Sequence, residues 1–145
     1  MHAADGDLNR WEQVSAYDVP ALDGRGDPEW WREWATDPEF GRGWHSINSH
    51  LRITGFGING STAAAGGELI VPHVEADYTD QEEVYVVLRG RAQFTCNGET
   101  FDVDQGGLVY CAPGVARQAR ALSAPTTVLA LGGRPGSFAV WSKPV

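Results

Sequence analysis

The stretch from Gly67 to Gly90 constrains the chain more than any other. Two runs of strand-forming residues bracket a polar bend. Glu68 to Glu75 is predicted as one strand, ending on His73 and Glu75, and Glu82 to Arg89 as the next, starting on Glu83 and running through Tyr85. Side chains repeat every two residues along a strand, so His73 and Glu75 share one face and Glu83 and Tyr85 another. If the two strands are antiparallel neighbours, one interior receives both faces. A histidine and two carboxylates then meet there.

The remainder of the chain reads as more short strands. Arg52 to Asn59 is predicted as a strand, Gly60-Ser61 as a turn, and Ala63 to Gly67 as the lead into the central pair. After Gly90, Arg91 to Cys96 sets Gln93 and Thr95 against Ala92, Phe94 and Cys96. Asn97-Gly98 is a type I′ hairpin signal, and Glu99 to Val103 returns from it. Leu108 to Cys111, Ala116 to Ala121, Thr126 to Leu131 and a short Phe138 to Trp141 complete the set. Strands this short, separated by regular turns, fit an all-β antiparallel barrel or jelly roll.

Residues 1–50 differ in character and are expected to form an arm on a barrel of residues 51–145, the whole being one structural domain at a length of 145. Five of the six tryptophans (Trp11, Trp30, Trp31, Trp34 and Trp44) lie in this arm. Asp27-Pro28-Glu29 is a helix start, with an Asp cap and Pro in the first turn. The helix is predicted to run to Ala35, with Trp30 and Trp34 on one face. Residues 1–8 are expected to fray, and Asp37-Pro38 and Gly41 to Gly43 to form a loop. The tryptophans either pack over the barrel or a dimer contact, or line a pocket mouth with flat rings.

The net charge of −8, with no basic cluster, argues against nucleic acid and anionic membrane as partners. The N-terminus has neither the positive region nor the apolar run of a secretory signal, and no apolar run approaches membrane-helix length, so a cytoplasmic protein is expected. Cys96 and Cys111 are expected to be buried and reduced. The Gly55-Phe-Gly57 pair is no nucleotide loop, because no helix is predicted to follow it.

The spacing resembles the signatures of the cupin superfamily. The first is Gly, five residues, His-x-His, three or four residues, Glu, six residues, Gly. Gly67 and His73 match it, as do Glu83 and Gly90, but Glu75 stands where the second His belongs and seven residues separate it from Glu83. The second is Gly, five residues, Pro-x-Gly, two residues, His, three residues, Asn. Laid on Gly106, it reaches Ala112, Gly114, Arg117 and Ala121. The resemblance covers about residues 52–132 and implies a jelly-roll barrel that pairs as a homodimer. Cupins that bind metal use three His and one Glu; only His73 and Glu83 match that set.

Strand alternation that turns Arg117 inward also turns Ala119 and Ala121 inward, and puts Gln118 and Arg120 outside. The interior then holds His73, Glu75, Glu83 and Arg117. A guanidinium has no lone pair for a metal, and it repels a nearby dication. Two buried carboxylates nonetheless need a cation. The reading favoured is therefore no cofactor, with Arg117 as the counter-charge. A small, largely apolar molecule would bind between Tyr85, Gln93 and Trp44. Arg117 would clamp its oxyanion, Glu83 or His73 would move a proton, and Glu75 would orient the histidine. Such a site suits an isomerase, epimerase or cyclase. One alternative is a divalent metal (Fe, Mn, Ni or Zn) on His73, Glu75 and Glu83, completed by a histidine from the loop expected to hold His45 and His50, in a dioxygenase or metal-assisted cyclase. Another is a non-catalytic binding barrel. The plainer readings are His73 held by backbone at a strand end, Glu75 in a solvated acidic loop, Glu83 exchanged for Glu82, and Arg117 exchanged for Arg120.

Overall fold

A computed structural model describes residues 8–22, 29–36 and 43–138. Among these residues nine strands form two antiparallel sheets. The larger contains β1 (Trp44–His45), β2 (Gly57–Ala63), β9 (Thr126–Gly133), β4 (Glu82–Arg89) and β7 (Leu108–Cys111), in that order across the sheet. The smaller contains β3 (Glu68–His73), β8 (Arg117–Ala121), β5 (Arg91–Cys96) and β6 (Glu99–Asp104). Their apolar faces meet in one core around Tyr85, Val87, Phe94, Ala119 and Val128, none more than 2% exposed. Fully burying a side chain as large as valine or phenylalanine contributes about 1.5–3 kcal/mol, and both sheets donate such residues. The architecture is the expected all-β jelly-roll barrel.

Local chemistry explains the strands that follow the expected limits. β4 spans Glu82–Arg89 and β5 spans Arg91–Cys96, as their alternation dictates. Asn97 and Gly98 turn the chain with φ of 48° and 83°, the paired positive values that a type I′ hairpin requires. On β8 burial alternates strictly, with Arg117, Ala119 and Ala121 inside and Gln118 and Arg120 outside.

Elsewhere the structure corrects the sequence reading. Residues 47–51 form a short helix, α2 (Ile47–Leu51), which ends on Arg52 in the left-handed region. The Asn48 side chain fixes the segment after it: its amide donates to the Ile53 and Phe56 carbonyls, and its oxygen accepts from the Ile58 amide. The strand expected from Arg52 therefore starts at Gly57. It runs through Gly60-Ser61, which was expected to turn. Gly60 stays in the sheet because the His45 ring packs over it, so that an added Cβ would lie 3.2 Å from that ring. β3 stops at His73, and Glu75 opens a single 3₁₀ turn, Glu75–Asp77.

In the arm, α1 (Glu29–Ala35) forms, but Trp30 is 70% exposed. The packed face carries Trp31 and Trp34 at i, i+3, and their rings stack at 4.7 Å. Both rings meet Trp44 edge-on. The expected Asp27-Pro28 cap, the 37–42 loop, the N-terminal tail through residue 7 and the strand beyond Phe138 lie outside the described residues. Among the described residues, no helix is long and apolar enough to cross a membrane.

Candidate functional site

The two sheets part at one end of the barrel around a cavity of about 210 Å³. Trp31, Trp34 and Trp44 form one wall, and Leu69, Val71 and Ala130 continue the apolar lining. His73, Glu75, Glu83 and Tyr85 make its polar end. Register brings these groups together: His73 on β3 pairs across to Arg117 on β8, and Glu83 on β4 faces Cys111 on β7.

Arg117 lies behind Glu83, with a fully buried side chain. Its Nη1 donates to Glu83 Oε1 at 2.8 Å, its Nη2 to the Ala112 carbonyl at 2.7 Å and its Nε to the Val115 carbonyl at 3.1 Å. Those three bonds engage each guanidinium nitrogen. The expected oxyanion clamp is thereby corrected: Arg117 does not line the cavity and pairs with Glu83 instead. The counter-charge role stands as geometry.

Glu83 Oε1 also accepts from the Tyr85 hydroxyl at 2.6 Å. Burial alone would raise the Glu83 carboxyl, but His73, Tyr85 and Arg117 outweigh it and hold the group below the usual carboxylate range. Burial and the adjacent Glu83 raise the Tyr85 phenol, which stays neutral.

His73 has both ring nitrogens engaged. Nδ1 lies 2.7 Å from the Val71 carbonyl, which can only accept, so Nδ1 carries a proton. Nε2 lies 2.8 Å from Glu75 Oε1 and 3.8 Å from Glu83 Oε1. A proton on Nε2 as well is donated to Glu75 and leaves the ring positive beside Glu83. Glu83 is the largest cause pushing the imidazole up to about 9, opposed by burial and supported by the Val71 carbonyl and Glu75. The ring is thus an imidazolium at neutral pH. Thr79 Oγ1 donates to the other oxygen of Glu75 at 2.5 Å and fixes that carboxylate from the 3₁₀ turn.

The structure brings together His73, Glu75, Glu83, Tyr85 and Trp44 as expected, and leaves Gln93 out. Gln93 sits on the outer face of β5, in a polar groove beside Gln118 and Arg120. His45 lies on β1 rather than in a loop, and its nitrogens meet the Val19 carbonyl and Thr62 Oγ1 at 2.8 and 2.7 Å. His50 lies on α2. Neither is among the cavity-lining residues. Leu69 and Val71 were missed, although they precede His73 at intervals of two, which is a readable same-face signal. No sequence signal announces Thr79.

The metal alternative has proximity in its favour, since ligand atoms of His73, Glu75 and Glu83 all lie within 4.8 Å of one another. Charge opposes it. Two cations, His73 and Arg117, already balance two carboxylates, and Nε2 must lose its proton to ligate. A metal bonded to Glu83 Oε1 would sit within about 5 Å of the Arg117 charge, a repulsion of roughly 6 kcal/mol at an effective dielectric near 20. The donor set does not fit a divalent ion well.

A two-sheet barrel with a small cavity at one end, polar on one side and aromatic on the other, defines the class. No family model matches the sequence, and no curated protein matches it. Among solved structures the chain is similar to a cupin protein from Bacteroides fragilis, at 25% identity and a TM-score of 0.59, covering 68% of this chain and 84% of that one. It is also similar to a Cupin 2 conserved barrel domain protein from Salinispora arenicola (19% identity, TM-score 0.49, 58% and 67% covered). KdgF from Halomonas sp. matches at 17% identity and a TM-score of 0.47, with 52% and 66% covered. The fold is that of the cupin superfamily.

Proposed function

We propose that the cavity binds a small, largely apolar organic molecule and moves a proton on it without a metal, as an isomerase, epimerase or cyclase does. The observation that carries this reading is the doubly engaged His73 ring at the polar end of an otherwise apolar cavity. Held as an imidazolium, His73 is the proton-transfer group, with Nε2 the nitrogen that a substrate would share with Glu75. Glu75 orients the ring, and Glu83 keeps it charged. Glu83 is itself a weak base, because Arg117 and Tyr85 already stabilise its anion. Arg117 fixes Glu83 from behind. Cys96, half-buried, and Cys111, buried, lie with their Sγ atoms 3.8 Å apart, and kept as thiols they would fit a cytoplasmic setting. Leu108 and Tyr110, 67% and 62% exposed on the outer face of the larger sheet, fit pairing with a second copy.

The test is solvent-deuterium exchange into a panel of small carbonyl compounds and amines, followed by mass spectrometry. Wild-type protein is expected to catalyse exchange on at least one class, with a chelator changing nothing. His73→Gln is expected to lose about 10²-fold or more of that rate. Loss of exchange with chelator and its return with Mn, Fe, Ni or Zn would favour the second reading, a metal on His73, Glu75 and Glu83. That reading rests on their mutual proximity. Binding without exchange would favour a non-catalytic barrel.

A further inference from the structure

The ionisable groups of the cavity favour one sign of charge in what it holds. This step rests on the reading of the cavity as an organic-ligand site. Each ionisable donor at the polar end is engaged by protein. Arg117 is held by Glu83 and two carbonyls, the Tyr85 hydroxyl by Glu83, and His73 by Val71 and Glu75. An incoming oxyanion thus meets no ionisable donor that is not already bonded.

Acceptors are in surplus. A carboxylate offers about four lone-pair positions. Glu75 is engaged by His73 and Thr79, and Glu83 Oε1 by Tyr85 and Arg117. Glu68, at the rim of the same cavity, has no hydrogen-bond or ion-pair partner among the described residues. With the carboxylates counted as anions, the His73, Arg117, Glu75 and Glu83 group sums to zero. Glu68 stands across from Arg120 in the β3–β8 register, and the outer polar groove reaches both, so the cavity and its rim stay balanced inside a chain whose net charge is −8. The net negative charge of the whole chain favours the approach of cations over anions.

The aromatic wall acts in the same direction. The three indole centroids lie 4.7, 5.4 and 5.9 Å apart. At that spacing the rings pack on one another and form a wall, not a cage with a gap at its centre. A cation within about 6 Å of a ring centroid gains from the ring quadrupole, most of all for tryptophan. The volume of about 210 Å³ lies below the ~300 Å³ at which drug-sized pockets begin, and suits a single ring or a short branched chain.

We propose that this cavity takes a small organic cation, a protonated amine on an apolar body. The ammonium would donate to the spare carboxylate lone pairs, and the body would lie against the Trp31, Trp34 and Trp44 wall.

The experiment compares three probes of matched shape and different charge at neutral pH: benzylamine, which is protonated there, benzyl alcohol and benzoate. Binding to the full chain is read by isothermal titration calorimetry. Benzylamine is expected to bind about tenfold tighter than benzyl alcohol, and benzoate not to saturate. Raising the salt is expected to weaken only the benzylamine isotherm. Benzoate or benzyl alcohol binding as tightly as benzylamine would overturn the cation assignment while leaving the cavity a ligand site. No binding by any of the three would overturn both. Trp44→Leu supplies a second readout. It is expected to cost benzylamine roughly 3- to 30-fold in affinity and benzyl alcohol less, and equal losses would count against the proposal.

Discussion

Arg117→Met is expected to destabilise the protein by roughly 3–5 kcal/mol, the cost of leaving a buried carboxylate without its partner. The Arg117 side chain is fully buried and that of Glu83 is 13% exposed, so solvent cannot replace the lost charge. Methionine fills much of the volume but satisfies neither Glu83 nor the Ala112 and Val115 carbonyls. The double variant Arg117→Met, Glu83→Gln is expected to recover most of the loss, because a neutral amide tolerates the same surroundings and still accepts from Tyr85. Urea unfolding of the wild type, both single variants and the double variant measures the coupling. Additive losses would mean that the two groups do not form the pair described.

Stability is also expected to vary with pH in a specific pattern. His73 has a folded value near 9 against an ordinary 6.5, so its contribution is complete below about 6.5 and disappears as the pH rises through about 9. Glu83 is shifted the other way, from an ordinary 4.5. Its contribution is complete above that value and is lost as the pH falls through its lowered folded one. Stability should therefore peak between about pH 4.5 and 6.5. It should then fall toward pH 9 by on the order of 2 kcal/mol, after allowance for partial exposure of the ring. In His73→Gln the alkaline fall should flatten, and the acid limb, which Glu83 supplies, should shrink without vanishing because Tyr85 and Arg117 still hold that carboxylate. An alkaline fall of equal size in that variant would assign the effect to other groups.

Most of the barrel was legible because local rules and tertiary demands agree there. The apolar alternation of Glu82–Arg89 and Arg91–Cys96, the Asn97-Gly98 turn and the inward set Arg117, Ala119 and Ala121 each need only a period of two or a turn type. Residues 47–60 were misread because a tertiary device overrides the pattern. The Asn48 side chain ties a five-residue helix to the start of β2, and Gly60 is kept in a strand by the His45 ring. Gln93 was placed in the pocket although its own alternation with Phe94 puts it on the outer face.

At the site, the residues were legible and their division of labour was not. His73, Glu75, Glu83 and Arg117 converge as strand phase suggests, even though Glu75 reaches His73 from a 3₁₀ turn rather than from the strand. Arg117 serves Glu83 instead of a ligand because two backbone carbonyls compete for the guanidinium, and a strand period cannot reveal them. The tryptophan wall depended on which helix face turns inward. A choice between i, i+3 and i, i+4 separates Trp31 from Trp30.

The central claim is that the protein's own cations, and not a metal, balance the two carboxylates in this barrel. ¹⁵N-resolved NMR of the His73 ring across pH, with and without one equivalent of Zn²⁺, tests it most directly. The expected result is two protonated ring nitrogens at pH 7, titration near pH 9 and no change on adding zinc. A ring that titrates at or below its ordinary value, or whose Nε2 signal moves to a metal-bound position with stoichiometric zinc, would contradict it.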